Sequence, residues 1–146
     1  MLSEREILIH VGLPKTATTT IQDTMHLNSK LLLEKYSIDY CVDLCDLLDV
    51  KCTGHHPMAW SAFHRNHPHA KPIDSNLIKK RLSQSKKVFL SSEWFLWAKE
   101  DKLKKIVGDW GLPSNRKVLL VVRNEKDYVR SNWLQSVKMG HTFLSF

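Results

Sequence analysis

The sequence predicts an α/β protein of three layers, with helices on both faces of a mainly parallel central sheet. Three observations predict it. Short apolar runs of strand type alternate with segments of helical periodicity along the whole chain, the pattern of a sheet built from crossover units. The runs over residues 6–11 and 117–122 are almost continuously apolar rather than alternating, as strands covered on both faces are. Finally, chemically distinctive residues follow two of these runs directly: residues 12–20 after the first, and Arg123 after the last. Ligands of open α/β sheets bind at such strand ends.

The elements follow in order. The first strand covers residues 6–11. After the loop, a helix is predicted over residues 18–35, where Ile21, Met25, Asn28 and Leu32 recur at helical spacing with Leu27 and Leu31 on the same face. A short strand is expected at residues 38–42. Residues 43–71 are hard to read; they hold five histidines, and a helix can open near Pro57 and run to Phe63. Asp74 reads as the N-cap of a helix ending near Ser83. A third strand covers residues 87–91, and the aromatic stretch Trp94-Phe95-Leu96-Trp97 follows it. A charged helix is expected over residues 99–109, stopping near Gly111 and Pro113. The fourth strand covers residues 117–122. The last helix runs over residues 125–138, with Val129, Trp133 and Val137 on one face and Gly140 at its end.

The 146 residues suit a single domain, with 42% apolar and 25% charged residues, close to the globular average. No apolar run approaches the ~18 residues of a membrane span, and the first residues lack the pattern of a secretory signal. Cys41, Cys45 and Cys52 make an odd, clustered count, which argues against a disulfide scaffold and for a reducing, cytoplasmic setting. A zinc site of these three with His55 or His56 fits the usual ligand spacing poorly; ordinary buried thiols are the default, and no metal is expected. The net charge of +7, from 22 basic and 15 acidic residues, favours anionic partners without choosing among them. No basic arm suggests nucleic acid.

The richest chemistry lies in Gly12-Leu13-Pro14-Lys15-Thr16-Ala17-Thr18-Thr19-Thr20. A strand end followed by a helix start presents unpaired N–H groups and a positive dipole end, which suit an anion. Lys15 adds a charge, Pro14 stiffens the turn, and Thr16, Thr18, Thr19 and Thr20 supply hydroxyls, at least one of which should cap the helix. A strand-to-helix turn with a threonine cap and an exposed lysine is the plain alternative; four threonines in five positions suit it poorly. The G-x-x-x-x-G-K-[ST] pattern of ATP and GTP loops fails here on spacing, and no obvious magnesium-binding aspartate is present.

The segment resembles instead the 5′-phosphosulfate loop of the sulfotransferase family, P-K-[ST]-G-[ST]-[ST], in the bacterial and carbohydrate-directed style. Ala17 stands where the family has glycine. Arg123 after the fourth strand, with Ser131 eight residues later, is similar to the family's 3′-phosphate pair. Arginine's planar fork suits a phosphate. The resemblance covers residues 7 to about 140. It implies a sulfotransferase fold related to the P-loop NTPases. It also implies binding of 3′-phosphoadenylyl sulfate, with adenosine 3′,5′-bisphosphate as product, and sulfuryl transfer to a hydroxyl or amine acceptor, carbohydrate among the candidates.

By the same resemblance Lys15 would stabilise the departing phosphate, while Gly12, Pro14, Thr16, Ala17, Thr18, Thr19 and Thr20 would hold the phosphosulfate. Glu93, just past the third strand, is the leading general base; His55 and His56 are alternatives, since imidazole titrates near neutrality. Trp94 and Trp97 can stack on adenine or a sugar ring, although core packing is the commoner fate of tryptophan. Family members continue past this length with a further basic loop, so the chain reads as the donor-binding portion, a fragment or a reduced homologue. An uncovered sheet edge, and with it self-association, is expected. A noncatalytic nucleotide- or polyanion-binding protein is the competing reading, and a P-loop phosphotransferase a weaker one.

Overall fold

A computed structural model describes residues 5–13, 16–48, 51–64 and 66–140. It has a sheet of four parallel strands in the order β2-β3-β1-β4: β1 (Glu6–Gly12), β2 (Ile38–Asp39), β3 (Lys87–Ser91) and β4 (Arg116–Val121). Side chains alternate across a strand, so β1 divides its residues between two cores. Ile7, Ile9 and Val11 meet Val88 and Leu90 on one face. There they pack against helices α4 (His56–Phe63), α5 (Ser75–Leu82) and α6 (Glu100–Asp109). On the other face, Leu8 and Phe89 pack with Ile21 and Met25 of helix α1 (Thr18–Leu27). Helices thus cover both faces of the middle of the sheet, consistent with the three predicted layers. Two more helices precede α4, α2 (Ser29–Tyr36) and α3 (Val42–Cys45); α7 (Glu125–Lys138) follows β4.

Several elements have the predicted bounds for the predicted reasons. The Asp74 side chain accepts from Asn76 N–H and starts α5. The strand at residues 87–91 and the helix at residues 125–138 fall as expected. Asn124 caps the latter by accepting from Lys126 N–H, and Gly140 follows it at φ +72°.

Four expectations are corrected. The helix predicted over residues 18–35 is two helices, because Asn28 turns out of helical geometry (φ −101°, ψ 12°) and bonds its side-chain amide to the Thr24 carbonyl at 2.7 Å. Leu27 and Leu31, expected on the packed face, are 81% and 52% exposed. The strand expected at residues 38–42 stops at Asp39, since Cys41 takes a left-handed conformation (φ 51°) and opens α3. The aromatic stretch after β3, for which no element was predicted, is a 3₁₀-helix spanning Glu93–Trp97, capped by Ser92.

The fourth correction concerns β4 and α7. β4 pairs only with β1, at the sheet edge, and its apolar run is open on both faces: Val118 is 66% exposed on one side and Leu119 43% on the other. No residue of α7 is buried; Val129 and Val137, expected in a core, are exposed and Trp133 is only half-buried. Among the described residues, the outer edge of β4 has no partner strand.

Candidate functional site

The carboxyl ends of β1 and β3 lie side by side, and the sequence places polar residues there amid apolar runs. Gly12 closes β1 with no room for a side chain: a Cβ would stand 2.7 Å from Thr18 Cγ2 and 2.8 Å from Thr16 Oγ1. Thr16 is buried, and its hydroxyl donates to the Leu13 carbonyl at 2.6 Å, folding the loop back on itself. Pro14 and Lys15 lie outside the described residues.

The cap of α1 is not a threonine. It is Ala17, in the left-handed region (φ 59°, ψ 23°), and no side chain bonds to the first turn. Threonine fails as the cap here because the Thr16 hydroxyl is turned to Leu13, while Thr18, Thr19 and Thr20 lie inside the helix. Among the described residues, then, the N-cap of α1 supplies no side-chain acceptor to its first N–H groups, an arrangement that suits an anion. Thr18 is buried beneath the turn; Thr19 and Thr20 are exposed. A left-handed Ala17 also explains the glycine at this place in the pattern the loop resembles, since an L-residue is strained there.

One turn into α1, the buried Gln22 donates from Nε2 to Glu93 Oε2 at 3.2 Å. Gly54 makes that geometry possible, because a Cβ there would sit 2.7 Å from Gln22 Cδ. Glu93 also faces His56, whose Nδ1 lies 3.8 Å from Oε2 and 2.8 Å from Ser92 Oγ. Burial pushes the His56 pKa below its ordinary value, partly offset by Glu93, while His67 pushes it further down. His56 is thus neutral near pH 7.

His55, the other alternative base, is structural. It is wholly buried; Ser91 N–H donates to its Nδ1 at 3.0 Å, and Nε2 bonds the Tyr40 carbonyl at 2.8 Å. Burial lowers its pKa to about 4. Both nitrogens are engaged, so His55 fastens the segment before α4 to the end of β3 and takes no substrate proton.

Sequence reasoning missed Gln22, Ser92 and His10. The signal for His10 was present: it is the one polar residue in Ile7-Leu8-Ile9-His10-Val11. Its Nδ1 lies 2.7 Å from Ser91 Oγ, the ring is fully buried, and Nε2 has no partner among the described residues. Burial lowers its pKa, opposed by Glu93.

Arg123 follows β4 by two residues. Gly12 pairs with Val121, and the Leu13 N–H donates to the Val121 carbonyl at 3.4 Å. The carboxyl end of β4, which Arg123 follows, is therefore paired with the carboxyl end of β1, where the loop begins. Ser131 is half-buried in the second turn of α7. Trp97 is 54% exposed, whereas Trp94 packs edge-on against Trp60, His64 and His67. A cavity of about 350 Å3 opens beside Trp94, bordered by His64, His67 and Lys102.

The thiols are held toward their protonated form. Cys41 and Cys45 are buried, which raises both pKa values strongly; burial raises that of Cys52 to about 11. No group of three or more His, Cys, Asp or Glu side chains is placed to hold a metal ion among the described residues. No described helix is long and apolar enough to cross a membrane.

Comparison with protein-family models, with curated proteins and with solved structures finds no match to this chain.

Proposed function

We propose that the chain binds the phosphosulfate of 3′-phosphoadenylyl sulfate at the start of α1 and transfers its sulfuryl group to an acceptor hydroxyl or amine. The observation that carries this reading is the bond from Gln22 to Glu93. It ties a carboxylate to the same helix whose uncapped first turn suits an anion, one turn (~5.4 Å) further along the axis. An anion-binding turn alone has no use for a base; a group-transfer site does.

The parts then divide as follows. The N–H groups at the start of α1, with Thr18 and Lys15, hold the phosphosulfate. Lys15 neutralises charge growing on the departing 5′-phosphate. Glu93 takes the acceptor proton, with neutral His56 beside it to receive or return that proton. Acceptor oxygen attacks sulfur as the bond from sulfur to the bridging oxygen breaks, leaving adenosine 3′,5′-bisphosphate. Arg123 and Ser131 hold the 3′-phosphate. The cavity beside Trp94 offers the acceptor room. The strand order, with β1 between β3 and β4, suits a P-loop-like sulfotransferase fold.

Calorimetric titration with adenosine 3′,5′-bisphosphate, followed by donor turnover over a panel of acceptors, tests the reading. Binding should be preferred to ATP. Arg123→Ala should weaken it far more than binding of the 3′-dephospho analogue, and Lys15→Ala should abolish transfer. Equal affinity for ATP sinks the donor assignment. Tight binding without turnover leaves a nucleotide-binding protein that is not an enzyme.

A further inference from the structure

A second cavity, of about 610 Å3, lies between α4, α5, α6 and the segment 70–73 that leads into α5, and no residue of the Gly12–Thr20 loop lines it. Its floor is apolar, formed by Ala62, Ile78, Ile106 and Trp110. Its rim is cationic: Lys71, Lys102 and Lys105 border it, against the single carboxylate of Asp109. Among the described residues none of these three ammonium groups is in an ion pair; Lys102 reaches only the Phe63 carbonyl, at 3.4 Å. The wall is fixed rather than loose. Ile73 N–H donates to Ser61 Oγ at 2.9 Å, which pins residues 71–73 to α4, and the Asp74 cap anchors the start of α5 just beyond.

We propose that this cavity binds an amphiphilic organic anion: an aromatic or short acyl group carrying one carboxylate, sulfonate or sulfate. The volume falls in the range of small-molecule sites, ~300–1,000 Å3, which are mostly apolar with a few convergent polar groups. An inorganic anion would leave the part-exposed apolar lining of Ala62, Ala70, Pro72 and Ile73 wet. An uncharged hydrocarbon would leave three ammonium groups without a counter-charge. A molecule with both parts satisfies both surfaces, its ring or chain against Trp110 and its anionic end between Lys71 and Lys105. The site is independent of the donor reading.

The test uses 8-anilinonaphthalene-1-sulfonate as the anionic probe and N-phenyl-1-naphthylamine as its uncharged counterpart, with dye fluorescence titrated on the whole chain. The sulfonate should bind saturably at one site. Lys71→Gln with Lys105→Gln should weaken it about tenfold or more, as loss of charge-assisted bonds does, and leave the uncharged dye unchanged. Ala70→Trp, which fills the cavity and keeps the charges, should weaken both dyes. Val118→Lys, on the exposed apolar edge, should change neither. Sulfonate binding that survives the paired lysine changes and Ala70→Trp overturns the proposal, as does its loss in Val118→Lys alone or the absence of saturable binding. Binding of adenosine 3′,5′-bisphosphate is a separate readout and bears on neither outcome.

Discussion

Replacing Ala17 with glycine should stabilise the protein, against the usual direction for a helix terminus losing a side chain. Ala17 stands at φ 59°, ψ 23°, where an L-residue pays about 1–2 kcal/mol for crowding between Cβ and the backbone. Glycine pays none of this, but its freer unfolded chain returns about 0.4–1 kcal/mol. The net gain is about 0.5–1 kcal/mol. For 146 residues the unfolding entropy is about 300 cal/mol/K, so the melting temperature should rise by about 2–3 °C. Thermal melts followed by circular dichroism resolve such a shift, and urea titration should return an unchanged m-value with a higher midpoint. Gly12→Ala provides the opposite sign, because its Cβ would overlap Thr18 and Thr16. A lower melting temperature for Ala17→Gly would refute the left-handed cap and with it the account of the loop's geometry.

Acid should unfold the chain in two stages. Burial holds His55 near 4, below its ordinary 6.5. A neutral buried imidazole therefore contributes stability that is complete above about pH 6.5 and lost as pH falls through 4, about 3 kcal/mol in all. Burial alone would raise Asp39, but hydrogen bonds from Arg81, Ser85 and the Cys41 N–H outweigh it and hold the carboxyl at about 2. Its contribution, about 2 kcal/mol, is present above the ordinary carboxylate range and lost as pH falls toward 2. Urea midpoints measured from pH 7 to 2 should fall below pH 6.5, and Arg81→Met should remove the lower stage; a flat profile between pH 6.5 and 4 contradicts the His55 assignment. Glu93→Gln should lower turnover by about 10²–10⁴-fold and leave adenosine 3′,5′-bisphosphate affinity intact; unchanged turnover removes Glu93 as the base. Gly54→Ala should drive Gln22 off Glu93, lowering turnover with little change in nucleotide affinity, and an unaltered rate would show that Gln22 does not position the carboxylate.

The sheet and most helix bounds were legible because their signals are local. Asp74 is a cap wherever a helix follows it, and residues 87–91 are a short apolar run whatever surrounds them. The errors arose where tertiary context decides. Val118, Leu119 and Leu120 have the composition of a buried strand, yet composition does not say what lies beside a strand, and here both faces of β4 are open. Val129, Trp133 and Val137 line one side of a helix, but periodicity marks a face without supplying its partner. Asn28 breaks a helical pattern through a side-chain bond to Thr24 that spacing does not reveal. In the candidate site the loop, Glu93 and His56 were visible as residue types. Gln22 was not, since one glutamine in a polar helix carries no signal until Gly54 and Glu93 are seen against it.

Several departures from ordinary folding rules lie where β1 ends, although Ser37 and Cys41 are left-handed too and α2, α3, α4 and α6 also start without a side-chain cap. Ala17 takes a strained conformation, α1 starts without a side-chain cap, and His10 buries a nitrogen with no partner among the described residues. Gly12 and Gly54 leave space that neighbouring side chains occupy to within contact distance. Each departure costs stability by itself; an orphaned buried nitrogen alone costs about 1–3 kcal/mol. The opposite ends of the same strands show none of this: Ile7 and Val88 pair in register and pack as ordinary core. Folding alone would favour apolar residues in place of the buried His10 and Gln22, and their placement is consistent with the proposed ligand at the carboxyl end. Gln22, Glu93, His56 and Ser92 extend the polar cluster from the helix start toward the cavity beside Trp94. A site that only held an anion would end at the α1 turn; this one continues to a carboxylate and an imidazole, which is the physical ground for reading transfer rather than binding.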